Sequence, residues 1–245
     1  MSKTNDSVWK SSSVVADYLD RKGSRPFQRE QIDVLLTIIR GLGRPVHYFM
    51  DLGCGDGILA AAILEEYPDS NGILVDHSPP MLKAAEMDLE GFTGRIHLCE
   101  VDYGQTGWVQ SVQQYSPLDL VVSGFSIHHQ TDTRKRSLYA EIFETLRPGG
   151  MFINMEVVAS RTARISELWD QIRVDSVYEF AVRHKLNKTR AAVEKECLES
   201  PEREANRLSL VETQCDWLRE IGYVDVDCFF KFFQLAVFGG CRSSV

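Results

Sequence analysis

From His47 onward the chain keeps one rhythm, a short apolar run followed by a helical segment: HYFMDLG then ILAAAILEEY, GILVDH then PPMLKAAEMDLE, RIHLCEVD then a turn-rich stretch, LDLVVSGFS then KRSLYAEIFETL, and last MFINMEVV. Runs that lack polar alternation belong to strands covered on both faces, and the helices between them provide the long crossovers that parallel pairing requires. The expectation is a doubly wound α/β fold. Further on, the helix VETQCDWLREIG precedes VDVDCFFKF and FQLAVFGG, two β-rich runs close enough to pair as an antiparallel hairpin. The full sheet is then seven-stranded and mostly parallel.

Two helical stretches lie outside that rhythm. Before it, VVADYLDRKGSRPFQREQIDVLLTIIRGLG reads as two helices bent at Arg25-Pro26, because proline disfavours the α conformation in the residue before it. Ile32, Leu35, Leu36 and Ile39 form one apolar stripe on the second helix, which is expected to end at Gly41 in a left-handed cap. After Val158, residues 161–208 hold no strand candidate, are rich in charge, and carry a helical stripe at Ile165, Leu168, Trp169, Ile172 and Phe180. The organisation expected is an N-terminal helical segment (1–44), a ligand-binding core (45–160), a helical insertion acting as a lid (161–208), and a last helix and hairpin completing the core (209–245).

A chain of 245 residues suits one principal domain with an elaboration. The net charge of -8, spread without any block of lysine or arginine, disfavours nucleic acid as a partner. The polar start MSKTNDSVWK has no apolar stretch behind its charges, and no apolar run nears the roughly 20 residues of a membrane span. A cytoplasmic protein with no membrane partner is expected, and a homodimer is compatible with it. Six cysteines lack C-x-x-C spacing and read as reduced thiols, with no metal site.

The segment D-L-G-C-G-D-G, Asp51 to Gly57, closes the first strand and opens a helix. Glycines there let a ligand approach the main chain where a Cβ would collide, although a tight turn without a ligand uses the same residues. Asp76 closes the second apolar run and Asp102 the third, so three successive strands bring a carboxylate to the edge where open α/β sheets bind ligands. Each acid alone also reads as a helix N-cap. Together they suit a nucleoside, the second acid accepting from ribose hydroxyls and the third from an adenine amino group. Ile58 stands where a dinucleotide fingerprint wants a small residue, and no G-x-x-x-x-G-K-[ST] occurs, which argues against a pyrophosphate and a P-loop nucleotide. Asp51 and Asp56 would repel phosphate and suit a ligand with cationic groups.

These segments resemble the class I S-adenosylmethionine-dependent methyltransferase family. D-L-G-C-G-D-G is similar to its first motif, V-D-H-S-P-P-M-L to its second, E-V-D-Y to its third and D-L-V-V-S-G-F-S-I-H-H to its fourth, with L-R-P-G-G-M-F-I-N entering the fifth strand. The resemblance implies a Rossmann-like fold with S-adenosylmethionine as cofactor. It implies that Gly53 and Gly55 pass beneath the methionine portion with Asp51 near its ammonium, and that Asp76 grips the ribose. His77 and Met81 would border the adenine, Asp102 and Tyr103 would meet its edge, and Ser123 would face the methionine portion through its main chain.

Methyl transfer is an in-line displacement in which alignment supplies much of the rate, and a base is needed only where the acceptor must lose a proton. His128 and His129 follow the fourth strand at the ligand edge; His128 is the candidate base, with loop histidines bonded to backbone as the plain alternative. Asn154 and Glu156 are polar positions in the fifth strand that either line a pocket or bond a neighbouring loop, and Asn154 is read as catalytic. Tyr178 is the third catalytic candidate, while Phe125, Trp169, Arg207 and Ser209 are substrate candidates. Aromatics at helical spacing more often pack than bind. The stretch from Gly23 to Arg29 either folds over the cofactor, bringing an arginine to a carboxylate, or is a solvated linker.

The activity expected is methyl transfer from S-adenosylmethionine to a small-molecule substrate. The layout is also similar to the carboxy-S-adenosylmethionine synthase family, which builds on the cofactor. A further alternative is cyclisation of the cofactor to azetidine-2-carboxylate with release of methylthioadenosine, Asn154, Tyr178 and Ser209 holding the amine and carboxylate. A non-catalytic, cofactor-binding partner subunit is the alternative from another class.

Overall fold

A computed structural model describes residues 5–244. A short 3-10 segment, Asn5–Lys10, leads into α1 (Ser12–Leu19) and α2 (Gln28–Gly41). The alternating part follows as β1 (Tyr48–Leu52), α3 (Ile58–Glu66), β2 (Asn71–Asp76), α4 (Pro79–Asp88), β3 (Ile96–Glu100), β4 (Leu118–Gly124), α5 (Asp132–Thr145) and β5 (Leu146–Val157). Three helices come next, α6 (Ala163–Arg183), α7 (Arg190–Leu198) and α8 (Pro201–Ala205). The chain closes with α9 (Val211–Ile221), β6 (Tyr223–Phe232) and β7 (Leu235–Arg242).

The strands form one seven-stranded sheet in the order β3-β2-β1-β4-β5-β7-β6. Pairing is parallel from β3 through β5, and antiparallel where β7 joins β5 and β6. The pleat explains why these strands lack polar alternation. Met50, Leu52, Ile73, Val75 and Val121 point to the face covered by α5 and α9, where they meet Leu138, Ile142 and Leu218. Phe49, Leu74, Leu120 and Val122 point to the face covered by α2, α3 and α4, against Leu35, Ile39 and Ile63. Each such side chain contributes about 1.5–3 kcal/mol by leaving water. Because both faces are apolar, what remains for chemistry is the edge where the strands end, and the strand order reverses between β1 and β4.

Two local expectations are corrected. Gly41 stays inside α2, and the left-handed residue is Gly43, with φ +62°. In α6 the buried residues are Trp169, Val174, Val177 and Ala181, while Ile165 and Leu168 are 39% and 40% exposed. The apolar face that finds a partner is the one that meets Val193 and Cys197 of α7, and that partner lies outside the stripe itself. No helix among the described residues is long and apolar enough to cross a membrane.

Candidate active site

The glycine turn is shaped by its backbone. Gly53, Gly55 and Gly57 have φ of +70°, +54° and +80°, conformations that cost a residue with a Cβ. The amides of Gly53 and Cys54 donate to the Val75 carbonyl at 2.7 and 3.1 Å, which ties the turn to β2. A Cβ on Gly53 would stand 1.9 Å from Ser126 Oγ, whereas one on Gly55 would meet nothing within 4 Å. Gly55 therefore presents bare main chain to open space.

Asp76 braces this turn. Its Oδ2 accepts from Gly55 N at 3.0 Å and its Oδ1 from Ser78 N at 2.9 Å, and burial raises its carboxyl above the ordinary range. Ser78 caps α4, accepting from Met81 N at 3.3 Å, with Pro79 at the first helical position.

Beside the turn lies a cavity of about 90 Å³. Gly53, Gly55, Asp76, His77, Met81 and Tyr103 line it, so the ends of β1 and β2, the start of α4 and the loop after β3 meet as the sequence suggested. Phe125 and His128, after β4, complete the far wall. Ser126 belongs to that wall too, and its Oγ lies 2.5 Å from the Tyr103 hydroxyl. The near wall was not foreseen residue by residue: Trp9, Tyr18 and Arg25 close it from the N-terminal segment. Trp9 Nε1 donates to His129 Nε2 at 3.2 Å, and the Trp9 carbonyl accepts from Ser78 Oγ at 2.6 Å. The signal available for Arg25 was its place in the bend between the two helices.

A second cavity, of about 330 Å³, adjoins the first through Tyr18 and Arg25, which line both. Its walls are the α1–α2 bend, Trp169 and Arg173 of α6, Val157 at the end of β5, and Gln234 and Leu235 at the hairpin turn. Residues of the insertion and of the hairpin turn thus line the same cavity.

His128 is held by a buried acid. Its Nδ1 lies 2.5 Å from Glu156 Oε1, and its backbone amide donates to Glu156 Oε2 at 2.9 Å. Glu156 is fully buried on β5. A neutral ring whose Nδ1–H donates to the carboxylate has an Nε2 lone pair to offer, the arrangement a general base requires. The adjacent His129 is pushed well below the usual histidine range, by burial first and then by its neighbour His128, so it stays neutral.

Several candidates are not brought into either cavity. Asn154 is fully buried in the sheet, with Nδ2 3.5 Å from the Tyr139 hydroxyl, because its strand position points to the α5 and α9 face. Tyr178 packs in the apolar cluster between α6 and α7. Ser209 donates to Asp132 Oδ1 at 2.5 Å and accepts from Lys135, a structural tie to α5. Arg207 donates its amide to the His128 carbonyl at 2.9 Å and its carbonyl accepts from Lys135, so its contribution is through main chain.

Three cofactor candidates are not among the residues that line the first cavity. Ser123 is fully buried and donates to the Leu52 carbonyl at 2.7 Å. Asp102 accepts from Gly104 N at 2.9 Å and shapes the loop that carries Tyr103. Asp51 is 1% exposed, accepts from Ala60 N at 3.2 Å with Oδ2, and has no hydrogen-bond partner for Oδ1 among the described residues. Burial, reinforced by the charges of Asp56 and Asp76, pushes its carboxyl up to about 8. In the unliganded protein Asp51 is therefore mostly protonated at neutral pH.

Residues 49–150 match a family model described as a methyltransferase domain. That match covers less than half of the chain. The chain is 19% identical over 229 residues to a carboxy-S-adenosyl-L-methionine synthase of Nautilia profundicola, covering 93% of this chain and 90% of that one. In fold it is similar to an O-methyltransferase family protein from Burkholderia thailandensis, with a TM-score of 0.68 at 15% identity over 100% of this chain. It is also similar to human N-acetylserotonin methyltransferase solved in complex with S-adenosylmethionine, with a TM-score of 0.64 at 15% identity over 100% of this chain. The chain spans 64% and 60% of the length of those two solved chains. The fold is the Rossmann-like one of those solved methyltransferases, and the residues at the strand ends fit S-adenosylmethionine: open main chain at Gly55, a buried carboxyl at Asp76 and an aromatic edge at Tyr103 face one cavity.

Proposed function

We propose that this methyltransferase domain transfers the methyl group of S-adenosylmethionine to a small molecule bound in the larger cavity. One observation carries the reading: the cavity at the glycine turn and the larger cavity adjoin at Tyr18 and Arg25, with His128 oriented by Glu156 in the wall of the first. When bound, the cofactor supplies a methyl group on a sulfonium, a good leaving group. Asp76, His77, Met81 and Tyr103 would hold its nucleoside, and Gly53 and Gly55 would pass beneath its amino-acid end. His128 Nε2 would take the proton from an acceptor hydroxyl or amine. Trp169 and the hairpin turn would exclude water from the acceptor. The six free cysteines support a cytoplasmic setting.

The relative that aligns with nearly the whole chain supports a second reading, in which the product is a carboxylated form of the cofactor. Cyclisation has less to support it, since Asn154, Tyr178 and Ser209, meant to hold the amino-acid portion, lie outside both cavities.

The test is to bind S-adenosylhomocysteine by calorimetry, then incubate the protein with S-adenosylmethionine and a pool of small metabolites and identify the sulfur-containing products. S-adenosylhomocysteine formed only with an acceptor supports methyl transfer. Methylthioadenosine, or a carboxylated cofactor, would replace the first reading. Absence of cofactor binding would remove the enzymatic readings together and leave a partner subunit.

A further inference from the structure

The larger cavity differs in charge from the rest of the chain. In a protein of net charge -8, it is lined by Arg21, Lys22, Arg25, Arg173 and Arg203, and its sole carboxylate among the described lining residues is Asp56. Most of these cations are engaged. Lys22 lies 2.8 Å from Asp56 and 2.6 Å from Asp88, and Arg203 makes a two-pronged pair with Asp170 at 2.6 and 2.7 Å. Arg21 donates to the Asp17 carbonyl at 3.0 Å.

Arg25 is different. Its guanidinium carbon stands 3.5 Å from the centroid of the Phe125 ring and 6.0 Å from that of Tyr18. Stacking uses the face of the guanidinium and leaves the donors at its edge for another partner. Its Nη1 is buried without a hydrogen-bond acceptor among the described residues, a state that is unfavourable until an acceptor arrives. Arg25 also sits where the two cavities meet, next to the residue that follows β4.

We infer that the acceptor is a small carboxylate, its anionic group received by the edge of Arg25 with Arg173 nearby and its apolar body against Trp169, Val177 and Leu208. This rests on the methyl-transfer reading above and names the substrate class of that same site. A single negative charge is the match, because Lys22 and Arg203 already have their own carboxylates. Val157, Trp169, Val177, Leu208 and Leu235 give the lining apolar surface that a carbon skeleton would contact and a free inorganic anion would not.

The probes are benzoate, indole-3-acetate, their amides, and phenyl phosphate, titrated by calorimetry into protein saturated with S-adenosylhomocysteine. At least one carboxylate should bind about tenfold or more tightly than its amide, and Arg25→Gln should remove that preference, lowering affinity for the carboxylate at least about fivefold more than it lowers S-adenosylhomocysteine affinity. Arg173→Gln should weaken the carboxylate in the same direction, which keeps the test open should the Arg25 variant fold poorly. Equal affinity for acid and amide, no binding of either carboxylate, or tighter binding of phenyl phosphate would overturn the inference. So would an Arg25→Gln variant that loses S-adenosylhomocysteine affinity about tenfold, since the arginine would then serve the cofactor's own carboxylate. Failure of S-adenosylhomocysteine to bind the unaltered protein would instead strike the methyl-transfer reading itself.

Discussion

His128 and Glu156 form a buried pair, Nδ1 to Oε1 at 2.5 Å, in which the acid also accepts the histidine's own backbone amide at 2.9 Å. The same carboxylate accepts Val157 N at 2.8 Å, so strand β5 fixes the ring's orientation through three contacts. His128→Ala should lower turnover by about 10²–10⁴-fold while leaving S-adenosylhomocysteine affinity nearly unchanged, the signature of a lost base. Glu156→Gln keeps the shape and should also lower kcat, with a shifted pH–rate profile. Unchanged turnover in both variants would make the pair a structural tie.

Asp76 both braces the glycine turn and faces the cavity. Asp76→Asn should weaken S-adenosylhomocysteine binding by about 1–3 kcal/mol, the scale of hydrogen bonds to a charged group. Calorimetry checks this, and an unaltered affinity would deny the residue its ribose.

The two glycines should fail differently. Gly53→Ala places a methyl group 1.9 Å from Ser126 Oγ on a backbone at φ +70°. It should lower the thermal midpoint clearly, with a strain of about 1–3 kcal/mol. Gly55→Ala, at φ +54° with open space ahead, should cost less stability yet still reduce cofactor affinity, because its methyl group enters the cavity. Thermal unfolding with and without S-adenosylhomocysteine separates the two effects.

Asp51 gives the pH dependence of the unliganded protein a definite sign. Its carboxyl is raised from 3.8 to about 8 in the folded chain, so between those values the native state holds a proton that the unfolded state releases. The stability it contributes is complete below pH 3.8, is lost progressively as pH rises, and levels off above about 8. Asp51→Asn should therefore raise the thermal midpoint more at pH 8.5 than at pH 5. An equal change at both pH values would mean that the carboxyl is ionised throughout.

The alternation of apolar runs and helices was sufficient to read the doubly wound sheet, because a strand buried on both faces leaves a continuous apolar signature and a parallel pair requires a crossover. The terminal hairpin was legible for the same reason: two β-rich runs with too little chain between them for a crossover must pair antiparallel. The glycines of the turn, Asp76, His77, Met81, Tyr103, Phe125 and His128 could be named in advance because each sits at a strand end or one turn into the next helix. Position along the chain alone sends such residues to the carboxyl edge.

Facing and partnership were decided by the tertiary structure. Asn154 and Glu156, two positions apart on β5, point to the same face of the sheet, and distance along the strand decides the partner: Glu156, near the strand end, holds His128, while Asn154 is bonded to Tyr139. The side chains of Asp51 and Ser123 are buried and bonded to neighbouring backbone, and α6 exposes residues that its sequence pattern would bury. Trp9, Tyr18 and Arg25 reach the cavities from more than 25 residues before the glycine turn. Local sequence fixes which edge of the sheet a residue visits, through periodicity; contact between distant segments depends on packing geometry that no short window contains.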